Sequence, residues 1–311
     1  MASPVRTGVK ILLTGSTGFI GSAFLERALA AGHSFALLIP PGEELLRPMG
    51  ASDRLRLFPG TLAEAPWLEI AKFGPEVCVH AAWITTPGVY LESPENDRFL
   101  EWSRAFFEQF YRHGGAWALG LGTCIEYAST SGPRSEAHTP IEPASRYARS
   151  KNSLRVALEE IAARHGRPAA WARIFYPYGP GEHPSRLGSQ IVLQLLRNQS
   201  VTLRTPDAAK DYIYISDLAR AILTVVERRF AGAINLGTGQ GVTVRQFAEQ
   251  IAACLGKTGL IHCLSGHRDP AGDVIAAAAR IRGLGWEPQV GLGEGIAQLV
   301  AHVQRSRSIT L

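Results

Sequence analysis

The octapeptide TGSTGFIG, residues 14–21, constrains this chain more than any other stretch. It ends the apolar run VKILLTG (9–15) and opens the segment FIGSAFLERALAAG, which Gly32 closes. A strand thus feeds an amphipathic helix through a turn holding three glycines. Gly15 permits the tight turn. Gly18 lets the backbone approach a ligand, and Gly21 lets the helix pack on the strand. The free N–H groups at the helix start then face a phosphate. This setting predicts a dinucleotide-binding turn, with Thr17, Phe19 and Ile20 among its contacts.

The alternation continues. SFALLIPPG, RLRLFPG, EVCVHAAW (76–83), AWALGLGT and AAWARIFYPYGP read as further strands, with helices expected over 95–113 and from Ser145 to about His165. EVCVHAAW is a continuous apolar run, typical of a strand covered on both faces. The pattern predicts an α/β fold, a Rossmann-like doubly wound parallel sheet over residues 1–175. Beyond that point short strands near 201–204, 211–215 and 233–236 lie among helical segments. Residues 176–311 are expected to form a smaller substrate-binding lobe over the carboxyl edge of the sheet, with parts returning to the core.

At 311 residues and 46% hydrophobic content the chain can bury a large core. No apolar run reaches bilayer length, and the N-terminal one is too short for a secretory signal. A soluble, cytoplasmic protein is expected, without a membrane partner. The four cysteines, Cys78, Cys124, Cys254 and Cys263, lack metal-ligand spacing, so no metal is expected and reduced thiols fit the cytosol. The net charge of +5 comes from scattered residues without a basic run, which argues against nucleic acid as a partner.

Tyr147 and Lys151 are four apart on an expected helix and share one face. A phenol of pKa ~10 is a poor acid–base group at neutral pH. A neighbouring ammonium, with the charge of an oxidised nicotinamide, favours the phenolate and suits the tyrosine to proton transfer.

The glycine spacing is GxxGxxG. Together with VHAAW, GTCIEY (122–127), YARSK (147–151), RIFYPYGPGE (173–182), KDYIYISDLARAI (210–222), INLGTGQGVTVRQFA (234–248) and LGWEPQVGLGEGI (284–296), it resembles the extended short-chain dehydrogenase/reductase family, specifically its nucleotide-sugar epimerases, dehydratases and reductases. The resemblance covers nearly the whole chain. It implies that Tyr147 moves the proton, that Lys151 holds and tunes it, and that Thr123, four residues before Tyr127, orients the reacting oxygen. The family's 4,6-dehydratases carry an acid one or two positions after that threonine. Cys124 and Ile125 stand there, which argues against a dehydratase, and Cys124 reads as a packing residue. Glu126 resembles the GTC-x-EY form of 4-ketoreductases, where it contacts substrate or braces a loop.

The resemblance also places His80, Ala81 and Ala82 against the cofactor. Pro40 stands where an acid would bind the ribose of NAD, with Glu43 and Glu44 slightly late. Arg47, Arg54 and Arg56 follow, so NAD(P) is expected, leaning to NADP. Trp83, Thr85, Glu126, Tyr176, Arg186, Lys210 and Arg268 are expected to contact a nucleotide-diphosphate sugar. The implied reaction is reduction of a 4-keto-6-deoxyhexose at carbon 4. A 4-epimerase with tightly bound NAD uses the same residues, and a non-catalytic dinucleotide-binding sensor or scaffold stands as the alternative from another class. Finally, Phe99, Leu100, Trp102, Phe106, Phe107, Phe110 and Tyr111 make the apolar face of helix 95–113 wider than one stripe, which predicts a homodimer.

Overall fold

The computed structural model describes residues 8–47 and 52–309. The first seven residues, read above as part of a segment too short for a signal, lie outside it. The first half runs β1 (Lys10–Thr14), α1 (Phe19–Ala30), β2 (Ser34–Ile39), β3 (Leu55–Pro59), α2 (Trp67–Phe73), β4 (Val77–His80), α3 (Glu95–Arg112), β5 (Trp117–Thr123), α4 (Arg146–Arg164) and β6 (Ala169–Ile174). The second half adds β7 (Tyr176–Tyr178), α5 (Leu187–Leu196), β8 (Val201–Leu203), β9 (Ala209–Lys210), β10 (Tyr212–Tyr214), α6 (Ile215–Glu227) and β11 (Gly232–Leu236). Beyond these come α7 (Val244–Cys254), α8 (Ala279–Gly283) and α9 (Leu292–Ile309).

Seven parallel strands form one sheet in the order β11-β6-β5-β4-β1-β2-β3. The order reverses between β1 and β4, which opens a crevice at their carboxyl ends. Strand β4 is buried along its whole length, as its unbroken apolar run requires. One strand expectation differs from the structure. AAWARIFYPYGP is not one strand: β6 stops at Ile174, and Tyr176–Tyr178 leaves the sheet to pair with β10. Residues 232–236 return to the main sheet and pair with β6. Helix α6 returns with them and packs on α1.

Helices α3 and α4 pack together on one face. Phe106, Phe107, Phe110 and Tyr111 are all buried within the chain, each burial stabilising by about 1.5–3 kcal/mol. Phe99 rests against Trp83, ring centres 5.6 Å apart. Much of the broad apolar face on α3 is therefore used inside one chain. Leu100 and Trp102 stay half-buried, and Val156 on α4 is exposed. No described helix is long and apolar enough to cross a membrane.

Candidate active site

The glycine-rich turn folds as its spacing requires. Gly15 has φ +73°, and a Cβ there would lie 2.6 Å from the amide nitrogen of Ala82. A Cβ on Gly21 would sit 2.1 Å from the Gly15 carbonyl oxygen. Gly18 is different: a Cβ would make only ordinary contact within the chain. Its bareness keeps the start of α1 open toward the cleft. Gly18 caps α1 without a side-chain bond, so the first helical N–H groups remain available to an anion.

Around this turn lies a cleft of about 240 Å³. Gly15, Thr17, Gly18, Phe19, Ile20 and Gly21 line it from one side, and Ala81, Ala82, Trp83 and Thr85 from the other. His80 is not among its walls. That ring is buried under the end of the sheet, Nδ1 2.9 Å from Thr14 Oγ1 and Nε2 2.9 Å from Ser103 Oγ. Thr14 Oγ1 accepts the Ala82 N–H at 3.2 Å. Its own proton is then free for Nδ1, which leaves Nε2–H to donate to Ser103. Burial, helped by the Lys151 charge, lowers the His80 pKa to about 3 and keeps the ring neutral. His80 thus braces the cleft wall from behind.

The arginines expected at the ribose do not line the cleft. Arg47 donates to Glu26 and to the Pro180 carbonyl at 2.9 Å, tying its loop to the segment before α5. Arg54 and Arg56 are exposed and lie outside the cleft. Glu43 does line it, accepting the Thr17 hydroxyl proton at 2.6 Å.

A second cavity of about 140 Å³ adjoins the first and brings Thr123, Tyr147 and Lys151 together. Strand β5 delivers Thr123 at its carboxyl end, and α4, capped by Ser145, presents Tyr147 and Lys151 one turn apart. Lys151 Nζ donates to the Leu121 carbonyl at 2.9 Å and lies 4.0 Å from the centre of the Trp83 ring. Burial lowers its pKa to about 7, against the opposing charge of Glu126. Tyr147 meets the edge of Tyr90, centres 4.9 Å apart. Burial raises the Tyr147 pKa well above the ordinary phenol value. Tyr90, Glu126 and Cys124 add to the rise, and Arg186 opposes it. In the chain alone Tyr147 is a neutral phenol; the expected shift toward phenolate also called on the charge of a bound oxidised nicotinamide. Desolvation outweighs the opposing charge of Arg186.

Cys124 also borders this cavity, but burial pushes its thiol up to about 12, so it is no thiolate. Glu126 does not reach the cavity as a substrate contact. It is fully buried and bonded to the Thr123 amide, Trp171 and Arg173. The stretch TCIE has the spacing of a helix-capping box, Thr-x-x-Glu, and the structure forms one. That signal was present in the sequence.

A third cavity, of about 930 Å³, lies among α5, α7 and the short strands. Tyr176 borders it and the second cavity, while Arg186 and Pro177 line all three spaces and so join them. Lys210 reaches the large cavity but is engaged, bonding the Gly272 carbonyl at 2.7 Å and Asp269 at 3.1 Å. Arg268 is exposed and lines none of these three cavities.

Residues 11–237 match the model of the NAD dependent epimerase/dehydratase family. The chain belongs to that family. As a member it is an enzyme. Family resemblance extends over nearly the full length. A UDP-glucose 4-epimerase of Mycolicibacterium smegmatis is 27% identical, over 94% of this chain and 97% of its own. A UDP-glucuronic acid decarboxylase 1 of Xenopus tropicalis is 25% identical, over 95% of this chain and 72% of its own. Among solved structures, the UDP-glucuronic acid 4-epimerase of Bacillus cereus, in complex with UDP-glucuronic acid and NAD, superposes with a TM-score of 0.84. It covers 96% of this chain and 100% of its own at 20% identity, which speaks for the fold.

Proposed function

We propose that this epimerase/dehydratase family member reduces a nucleotide-diphosphate-linked 4-keto-6-deoxyhexose at carbon 4. The observation that carries the reading is the convergence of Thr123, Tyr147 and Lys151 on a cavity between the dinucleotide cleft and a larger cavity. A nicotinamide cofactor bound in the cleft supplies hydride. Thr123 donates a hydrogen bond that orients the carbonyl. Tyr147, a neutral phenol by virtue of its burial, donates the proton to the new alkoxide. Lys151 sits behind it as a cation that the Leu121 carbonyl and the Trp83 face hold in place. The residues lining the catalytic cavity include no carboxylate, and its cysteine is a neutral thiol. Elimination of water, which needs such a base, is therefore disfavoured.

The large cavity takes the nucleotide diphosphate. Arg186 meets the phosphates where the cavities join, and Lys210 shares the charge with Asp269. The cofactor is NAD rather than NADP, because Glu43 places a carboxylate in the cleft where a 2′-phosphate would be repelled. The protein acts in the cytoplasm as a homodimer, using the outward residues Leu100, Trp102 and Val156.

The deciding experiment offers the purified protein NADH or NADPH with a panel of nucleotide-linked 4-keto-6-deoxyhexoses. Net oxidation of the dinucleotide supports the reading. Interconversion of 4-epimers without net oxidation assigns an epimerase instead. Binding without turnover on any sugar nucleotide leaves a sensor or scaffold.

A further inference from the structure

The Glu126 carboxylate ties the strand end carrying Thr123 to the neighbouring strand β6. Its Oε1 accepts the Thr123 backbone N–H at 2.8 Å, and the Thr123 hydroxyl accepts the Ile125 amide at 3.5 Å. On its other side Trp171 Nε1 donates at 3.0 and 3.1 Å and Arg173 Nε at 2.8 Å. Arg173 continues to the Tyr127 hydroxyl at 3.2 Å, and that hydroxyl donates to Asn235 Oδ1 at 2.7 Å. Gly122 makes the room. A Cβ there would lie 2.1 Å from Trp171 Nε1 and 2.5 Å from Glu126 Oε1.

An ionic pair sealed in a core is a costly way to fill space, since apolar side chains of the same volume pack as well or better. What the pair adds is fixed geometry and a fixed field. The charged and titratable groups acting on Tyr147 and Lys151 are few. Glu126 and Cys124 act from the turn after β5, Tyr90 from the loop before α3, Arg186 from the start of α5, and His80 from the end of β4. Glu126 is the one carboxylate among them.

We propose that Glu126 is a positioning residue of the Thr123–Tyr147–Lys151 group. It locks the backbone of β5 where the Thr123 hydroxyl meets the cavity, and presents a buried negative charge to the Lys151 ammonium. The proposal rests on the reading of those three residues as the reacting group. Burial alone disfavours the ammonium, and the carboxylate counteracts it. Replacing Glu126 by glutamine removes that charge and leaves Arg173 uncompensated, and both changes lower the pH at which Lys151 loses its proton.

The test uses ¹³C-labelled lysine. The chain has five lysines, and Lys151→Arg identifies the Lys151 signal by its loss. In Glu126→Gln the titration midpoint of Lys151 is expected to fall by about half a unit or more. The kcat should fall by about tenfold, with NADH affinity within about twofold of wild type. Where the single variant fails to fold, Glu126→Gln combined with Arg173→Gln removes both charges and keeps an acceptor for the Thr123 amide. Its Lys151 midpoint falls too, but by less, since losing the Arg173 charge acts the other way. A midpoint that stays in place, or a kcat that stays once the midpoint has moved, overturns the proposal. If wild type turns over no sugar nucleotide, the functional reading fails instead, and the midpoint still decides whether Glu126 acts on Lys151.

Discussion

The Lys151 ammonium nitrogen lies 4.0 Å from the centre of the Trp83 ring, closer than to any other aromatic face it meets. Trp83 is itself fixed: its Nε1 donates to Asn96 Oδ1 at 2.8 Å, and Asn96 Nδ2 donates to the carbonyls of Tyr90 and Ser93. One buried asparagine thus sets both the ring under Lys151 and the loop bearing the ring beside Tyr147. A desolvated cation over an indole contributes up to about 2 kcal/mol. Trp83→Leu is expected to lower kcat by about tenfold, and Trp83→Phe by less, because it keeps a ring face. Steady-state kinetics on the two variants checks this. Equal losses would mean that the ring does not hold Lys151.

The cleft predicts a cofactor choice. Glu43 borders it and bonds Thr17. NADH should bind the wild-type protein more tightly than NADPH, and Glu43→Gln should narrow the gap, by titration calorimetry. A wild-type preference for NADPH would restore the arginine reading.

Thr123 and Cys124 are neighbours at the same cavity with different expected roles. Thr123→Val should cost about 10²-fold or more in kcat, as the loss of a donor to developing oxyanion charge does. Cys124→Ser should be mild, because the thiol is neutral and serves packing. Similar losses from both would show that the threonine hydroxyl has no special part.

His80 predicts a pH dependence of stability. Its folded pKa is depressed to about 3, below an ordinary value near 6.5. Between those values the unfolded chain binds a proton that the folded chain refuses, so His80 contributes stability above about pH 6.5 that is lost as pH falls toward 3. Urea unfolding at several pH values should show this decline in wild type. His80→Gln should be less stable at neutral pH but flatter across that window. A parallel decline in both proteins would place the titrating group elsewhere.

Local signals carried the sheet and the turn. Most strands of the first half are short apolar runs between breakers, and the spacing of Gly15, Gly18 and Gly21 states its own geometry. The geometry of the glycine-rich turn was legible for that reason. Long-range facts were not. Residues 232–236 read as any short strand would, and only pairing with β6 puts them in the main sheet. Phe107 and Phe110 looked like surplus until α3 met the core. Arg47 was placed by its position downstream of the second strand, whereas its guanidinium went to Pro180, far along the chain. Glu126 was half legible. The capping-box spacing was in the sequence, but the partners Trp171 and Arg173 come from the neighbouring strand β6. The raised pKa of Tyr147 follows from burial, which helical spacing cannot report.

The central claim is that Tyr147 transfers the proton in a reaction run on the bound dinucleotide. Its most direct measurement is turnover and NADH affinity of Tyr147→Phe, side by side with wild type on a nucleotide-linked 4-keto sugar. The kcat is expected to fall by at least about 10²-fold while NADH affinity stays near wild type, since only the acidic hydroxyl is lost. A variant that keeps most of its turnover would contradict the account.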